Sequence, residues 1–183
     1  MLSGRLHTFL FADLVGFTAL TELHGDEVAA DLAMRFGAES ARIASEHDAK
    51  LLKCVGDAVM IHAENAADAI RIGLRLSDEL GSIGLPPVHS GAHTGRAIER
   101  GGDWYGAAVN LAARVAAAAR GGELLVTEAT VAAAGDMSDV ALECLGPQLF
   151  KNVSGATSVY SARCTPRPAA APALVAVPAL SPA

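Results

Sequence analysis

Two rhythms of apolar and polar residues run along the chain, and each predicts a type of element. Leu6–Leu14 is rich in β-formers and large apolar residues and reads as a buried strand ending at Asp13. In Gly25–His47 the residues Val28, Leu32 and Phe36 recur at helical spacing, later joined by Ile43, which predicts one long amphipathic helix. Lys50–Val55 and Ala58–His62 are two short strand-like runs, and Gly56-Asp57 between them predicts a hairpin turn. Ala66, Ile70 and Leu74 form the stripe of a second helix over Ala66–Leu80, with Gly81 expected to stop it.

The second half continues in the same way. Val88–Thr94 reads as a strand, Ile98–Tyr105 as a Gly-containing hairpin or arm, and Ala107–Ala119 as an Ala-rich helix closed by Gly121-Gly122. Glu123–Thr127, Val140–Leu145 and Ser158–Ala162 are the expected final strands. This order predicts an α+β fold: a ferredoxin-like βαββαβ core with additional strands, in a mostly antiparallel sheet with helices packed on one face. After Cys164 the residues are almost entirely Ala, Pro, Val and Leu without a pattern that could bury one face. Residues 1–164 are therefore expected to be one domain, and 165–183 a disordered Ala/Pro-rich tail.

Composition narrows the classes. A chain of 183 residues fits one domain with an extension, at roughly 150 residues per domain. With 51% hydrophobic and 19% charged residues there is ample apolar material for a core, which excludes wholesale disorder. A net charge of −6 argues against a nucleic-acid partner gripped through many phosphates, but leaves room for a small anion held by metal. Cys54, Cys144 and Cys164 are odd in number and lack metal-ligand spacing, which fits a reducing cytoplasm better than a disulfide framework. The apolar stretch around Phe9–Phe11 is interrupted by Asp13 and followed by no small-residue cleavage site, so no signal peptide is expected. The tract Ala169–Leu180 is broken by Pro172 and Pro178 and is too short for a membrane span.

Two aspartates, Asp13 and Asp57, stand where a strand meets a turn. If their strands are neighbours, the side chains converge, and paired carboxylates suit hard divalent ions that share their coordination with substrate phosphates. The plainer alternative is that Asp13 caps a helix starting near Thr18 and Asp57 only shapes a Gly-Asp turn. The backbone N–H groups of Gly16-Phe17-Thr18 precede that helix and could face phosphate oxygens, although no Walker-type loop is present.

Three segments carry a resemblance. Phe11-Ala12-Asp13-Leu14-Val15-Gly16-Phe17-Thr18, Lys53-Cys54-Val55-Gly56-Asp57 and the run from Asp103-Trp104-Tyr105-Gly106 to Asn110 and Arg114 together resemble the catalytic domain of the class III nucleotidyl cyclases, from about Leu6 to about Arg163. The resemblance implies a homodimer whose two shared sites turn a nucleoside triphosphate into a 3′,5′-cyclic monophosphate and pyrophosphate, with Mg²⁺ or Mn²⁺ as a pair of ions per site. It places Asp13 and Asp57 at the metal positions, Asn110 at ribose orientation, and Arg114 at the charge developing on the α-phosphate. Phe17 and Thr18 fall at the phosphate-facing helix start. Asn110 and Arg114, four residues apart, share a helix face, and a guanidinium fork suits the phosphate role.

Lys53 and Asp103 match the positions that choose the base. Adenine offers an acceptor at N1 and a donor at N6, which a Lys donor and an Asp acceptor satisfy, whereas guanine presents the reverse. ATP is thus the expected substrate and adenylate cyclase the expected activity. Arg96 and Lys151 resemble family cations that contact the phosphates. A catalytically silent nucleotide-binding or dimerisation module and a guanylate cyclase are the alternatives, the first opposed by the complete residue set and the second by Lys53 and Asp103. Gly101-Gly102-Asp103 followed by Trp104 departs from the diguanylate cyclase pattern, and the acidic balance with 4% aromatics opposes an RNA-binding module. His7, His24, His47, His62, His89 and His93 form no zinc-type run and are expected to be structural or exposed, Cys54 to pack as a small hydrophobe, and Trp104 and Tyr105 to shape a pocket wall or dimer seam.

Overall fold

A computed structural model describes residues 5–165. Its elements in chain order are β1 (Leu6–Leu14), α1 (Phe17–His24), α2 (Asp26–Ser45), β2 (Lys50–Val55), β3 (Ala58–Ala63), α3 (Ala66–Ser82), β4 (Val88–Arg96), β5 (Ile98–Arg100), β6 (Asp103–Tyr105), α4 (Ala107–Ala118), β7 (Leu124–Thr127), α5 (Glu128–Ala134), β8 (Val140–Leu149) and β9 (Ala156–Cys164). One sheet runs β2-β3-β1-β4-β7-β9-β8. Strand β1 is antiparallel to both β3 and β4, and β2 to β3, so β4-β1-β3-β2 with its two helical crossovers is the expected ferredoxin-like core. Strand β7 joins β4 in parallel, and β9 and β8 extend the sheet antiparallel.

Burial of β1 explains its central place. Leu10, Ala12 and Leu14 enter the larger core with Phe36 and Ile43 of α2 and Ile70 of α3, while Phe9 packs with Met60, Ala108 and Ala112 in a second core under α4. Adjacent strand residues face opposite sides of a sheet, so helices cover both faces. The single helical face expected from the sequence is corrected accordingly: a strand whose consecutive residues Phe9 and Leu10 are both 0% exposed needs a cover on each side.

The long helix expected over Gly25–His47 is α2, Asp26–Ser45, and the short helix α1 stands directly before it. Gly25 takes φ 85, closes α1 by donating to the Thr21 carbonyl, and opens α2 by accepting from Ala29. Helix α3 runs through Gly81 to Ser82, with Asn65 capping its start by accepting from the Ala67 N–H. Helix α5 was absent from the sequence pattern because seven residues are too few to display a helical period. Strands β8 and β9 are longer than expected, with a bulge between Cys144 and Gly146. The arm appears as the β5–β6 hairpin, turning at Gly101-Gly102 with φ 62 and 81, the paired positive values of a type I′ turn. Past Thr165 the Ala/Pro-rich tail lies outside the described residues. Among the described residues no helix is long and apolar enough to cross a membrane.

One close approach sets the position of α4. A Cβ at Gly91 of β4 would lie 2.1 Å from the Ala116 backbone nitrogen and 2.6 Å from the Val115 carbonyl carbon. Two strand residues on, a Cβ at Gly95 would lie 2.8 Å from the Ala108 Cβ. The helix answers with small residues, Ala108, Ala112 and Ala116, on its buried side. Gly91→Ala has backbone on the opposing side with no room to give, and is expected to cost about 3 kcal/mol of stability, read as a lowered urea midpoint at unchanged slope.

Candidate functional site

The pairing of β1 with β3 brings the two aspartates together. Asp13 lies opposite Ala58, the first residue of β3, and Asp57 immediately precedes it in the turn. The Leu14 N–H donates to the Asp57 carbonyl at 3.2 Å, which fixes the two backbones side by side. Burial, then the negative charge of Asp57, pushes the Asp13 carboxyl up to about 6. Asp13 Oδ1 is buried without a hydrogen-bond partner. Its other oxygen, Oδ2, lies 3.4 Å from Nε2 of His89, the residue directly opposite Asp13 on β4. His89 Nδ1 is 2.9 Å from the Ala116 carbonyl, which only accepts, so this nitrogen carries a proton. A bare Nε2 lone pair against a carboxylate would repel, so the contact is favourable only with a proton between them.

A like-charged pair with an orphaned oxygen is unfavourable alone and favourable around a cation. The donor set, carboxylate oxygens, suits a hard divalent ion. Among the described residues no group of three or more His, Cys, Asp and Glu is placed to hold a metal, so an ion at this pair would take further oxygen ligands from elsewhere. The alternative helix-capping role for Asp13 does not hold, because Gly16 occupies the N-cap of α1 and no side chain caps it.

A second constellation lies on the α4 side of the sheet. Lys53 of β2 and Asp103 of β6, fifty positions apart in sequence, meet with Nζ 2.5 Å from Oδ2. The ammonium beside it, and then the Trp104 N–H donating to Oδ1 at 2.8 Å, hold the Asp103 carboxyl below the usual range. The Trp104 ring stacks on His62 at 4.6 Å and 20° and meets Phe9 edge-on at 5.5 Å, anchoring the arm to the sheet. Tyr105, its neighbour, is exposed. Cys54 is exposed beside Gly37 of α2 and lines an open groove with Met34, a correction to the packed position expected for it.

Asn110 and Arg114 are exposed on α4, one turn apart. Asn110 lines a cavity of about 520 Å³ with Arg96, His93, Asn152 and Ser154, and exposed Lys151 adjoins Asn152 in the β8–β9 turn. Asp13 lines a different, smaller cavity of about 130 Å³ with His89 and Ala113, Ala116 and Ala117. At the start of α1, Phe17 packs against the larger core and Thr18 is exposed. The fold thus unites Asp13 with Asp57, Lys53 with Asp103, and Asn110 with Arg96, while the acidic pair and Asn110 line separate cavities. Sequence reasoning missed His89 and His93, whose signal lies in the β4 register and not in any motif.

A family model, the adenylate and guanylate cyclase catalytic domain, matches residues 6–161. The chain belongs to this family of nucleotide cyclase catalytic domains. The pH-sensitive adenylate cyclase of Mycobacterium tuberculosis is 33% identical over 164 residues, covering 87% of this chain and 41% of that protein. An adenylate cyclase of Glutamicibacter nicotianae is 40% identical over 121 residues, covering 66% of this chain and 30% of the relative. The chain therefore spans less than half the length of these relatives. Among solved structures, the adenylyl cyclase CyaB of P. aeruginosa superposes with a TM-score of 0.78 at 24% identity, covering 88% of this chain and 95% of the other. The catalytic core of a rhodopsin-guanylyl cyclase with converted specificity, in complex with ATPαS, gives 0.80 at 16% identity, covering 88% and 96%. At these identities the structural likeness establishes the α+β fold.

Because the raised Asp13 carboxyl binds its proton more tightly folded than unfolded, its contribution is present below about pH 4 and is lost as pH rises through about 6. Asp13→Asn, measured by thermal unfolding without divalent ions, is therefore expected to raise the midpoint more at about pH 7.5 than at about pH 4.5. An equal change at both would show that the carboxylate carries no such penalty.

Proposed function

We propose that residues 1–164 are an adenylate cyclase catalytic domain that converts ATP to 3′,5′-cyclic AMP and pyrophosphate. The observation that carries the choice of base is the Lys53–Asp103 pair: a donor and an acceptor, 2.5 Å apart and half-open to solvent, in the polarity that adenine complements and guanine opposes. The relatives named adenylate cyclase support the same reading.

In this reading Lys53 donates to adenine N1 and Asp103 accepts from the N6 amino group. Asn110 orients the ribose so that its 3′-oxygen can attack the α-phosphorus in line with the departing pyrophosphate, a step in which positioning and charge stabilisation supply most of the acceleration. Arg114 stabilises charge on the α-phosphate as it develops. Arg96, Lys151 and the backbone at Phe17 and Thr18 hold the phosphate chain. Asp13 and Asp57 would hold Mg²⁺ or Mn²⁺, two ions per site, whose charge would neutralise the phosphates and lower the cost of ionising the 3′-oxygen. No protein nucleophile takes part.

Two chains complete each site in this proposal, as a homodimer. The acidic pair and Asn110 line different cavities of one chain, which is the arrangement expected if each chain lends its metal ligands to one site and its base and ribose contacts to the other.

Incubation with ATP or GTP in each of Mg²⁺ and Mn²⁺ is expected to yield cyclic AMP, with GTP poorly used. Asp57→Asn should abolish turnover, and Arg114→Ala should lower kcat by about 10²- to 10³-fold. Mixing Asp13→Ala with Arg114→Ala should restore activity through one intact site per mixed dimer. Metal-dependent ATP binding without product would instead identify a silent nucleotide-binding module, and verified mixed dimers without recovery would refute shared sites.

A further inference from the structure

One group in the 520 Å³ cavity has no role in the reading above. His93 lies on the α4 face of β4, and behind it four threonines form a buried hydroxyl chain that ends on the Ala92 carbonyl. Thr130 donates to the Ala92 carbonyl at 3.4 Å and accepts from Thr94 at 3.3 Å. Thr127 lies 3.1 Å from Thr130, Thr8 lies 2.9 Å from Thr94, and His93 Nδ1 lies 2.8 Å from the Thr127 hydroxyl. All four threonines are buried.

The directions of these bonds are determined. Each hydroxyl has one proton, and the Ala92 carbonyl takes that of Thr130. Thr127 must then donate to Thr130, which leaves the Thr127 oxygen as an acceptor and makes His93 Nδ1 a donor. Thr94 has likewise spent its proton, so Thr8 donates to it. The ring of His93 is consequently held with Nδ1 protonated and Nε2 carrying a lone pair. Burial lowers its pKa to about 4, so the imidazole is neutral at neutral pH and a weak base.

Space is kept beside that lone pair. A Cβ at Gly95 would sit 3.0 Å from His93 Nε2, and Gly95 does not adopt a positive φ, so it is room and not backbone conformation that glycine provides there. The same cavity carries Asn110.

A nucleoside triphosphate has few groups that can satisfy a neutral acceptor. Its phosphates accept only, and the N6 donor is taken by Asp103 in the cyclase reading. The 3′-hydroxyl must lose its proton, which a base this weak does not remove effectively. The 2′-hydroxyl remains. We propose that His93 is a ribose-reading residue, its Nε2 accepting a hydrogen bond from the 2′-hydroxyl of the bound nucleotide beside Asn110. This inference rests on the cyclase reading for the identity of the ligand.

The test uses the full chain with Mg²⁺ and two nucleotides that cannot cyclise, 3′-deoxy-ATP and 2′,3′-dideoxy-ATP, compared by calorimetry. The wild-type chain is expected to bind the first about three- to tenfold more tightly, the range of one neutral hydrogen bond. His93→Asn, whose short amide can keep the bond to Thr127 but not reach the cavity, should bring that ratio to about one, and His93→Gln should recover part of it. Thr127→Val, which frees the ring, should lower the ratio and serves where His93→Asn fails to fold. A wild-type ratio of one, or an equal loss for both nucleotides in His93→Asn, overturns the proposal in favour of a purely structural histidine. A chain that makes cyclic AMP from ATP but shows no such ratio refutes the role of His93 alone. One that keeps the ratio and makes no cyclic AMP refutes the enzyme and leaves His93 as a ribose contact, and binding of neither nucleotide refutes both.

Discussion

The backbone of α4 rests on β4 at a position where no side chain fits, and the arrangement of the site follows from that contact. With a Cβ at Gly91 only 2.1 Å from the Ala116 nitrogen, the helix lies nearer the sheet than ordinary side chains allow, and its buried side can carry little beyond alanine and a few larger residues. Burying small residues yields less hydrophobic stabilisation than burying Leu or Ile, roughly in proportion to apolar area. What is gained is position. The helix is pinned at one end by His89 Nδ1 donating to the Ala116 carbonyl and sits on Gly95 at the other, so Asn110 and Arg114 project from a rigid element instead of a loop. The same closeness forms the walls of both cavities, with Asp13 under one half of α4 and His93 beside the other.

The acidic pair shows the opposite economy. Asp13 and Asp57 adjoin, one with an unpartnered buried oxygen, and nothing in the described chain neutralises both. Such an arrangement disfavours the isolated fold at neutral pH and becomes favourable with a cation, which is how perturbed carboxylates and functional sites come to coincide. His89 moderates this through a contact with one Asp13 oxygen. It leaves the second oxygen untouched, which is consistent with the proposed metal-holding role.

Much of this was legible in the sequence, and the failures have physical reasons. The order of strands and helices, the Gly56-Asp57 turn and the Gly101-Gly102 arm follow from local chemistry, and the ferredoxin-like order follows from their succession. The start of helix α1 near Thr18 was legible, but its extent to His24 was not, because it buries no residue fully and gives periodicity little stripe to follow. The two-sided placement of helices was available in principle: Gly91 and Gly95 lie on one strand face, flanking His93, and two missing side chains on one face mark a close neighbour. The convergence of Asp13 with Asp57 required only that β1 and β3 be adjacent. The facing of His89 and Asp13 required the register of β1 on β4, which no local pattern encodes. The direction of the hydroxyl chain behind His93 required the positions of Thr127 and Thr130, from elements separate from β4.

In the proposed reading Lys53 and Asp103 choose the base, and they contribute little elsewhere. Their side chains are 45% and 25% exposed, and an ion pair that open adds little to stability because solvent screens it, too little for the fold to depend on it. Recognition weighs the same two groups differently. Once a purine covers them and excludes water, a mispaired donor or acceptor costs the desolvation of a polar group, about 1–3 kcal/mol each, and reversing the polarity of the base mispairs both. The Trp104 ring, stacked on His62, anchors the arm that carries Asp103 opposite Lys53, which in the proposed reading favours a constant polarity toward the base. If the pair reads the base as proposed, a contact nearly neutral for folding decides which nucleotide is used, and exchanging its polarity would alter specificity with little change in stability.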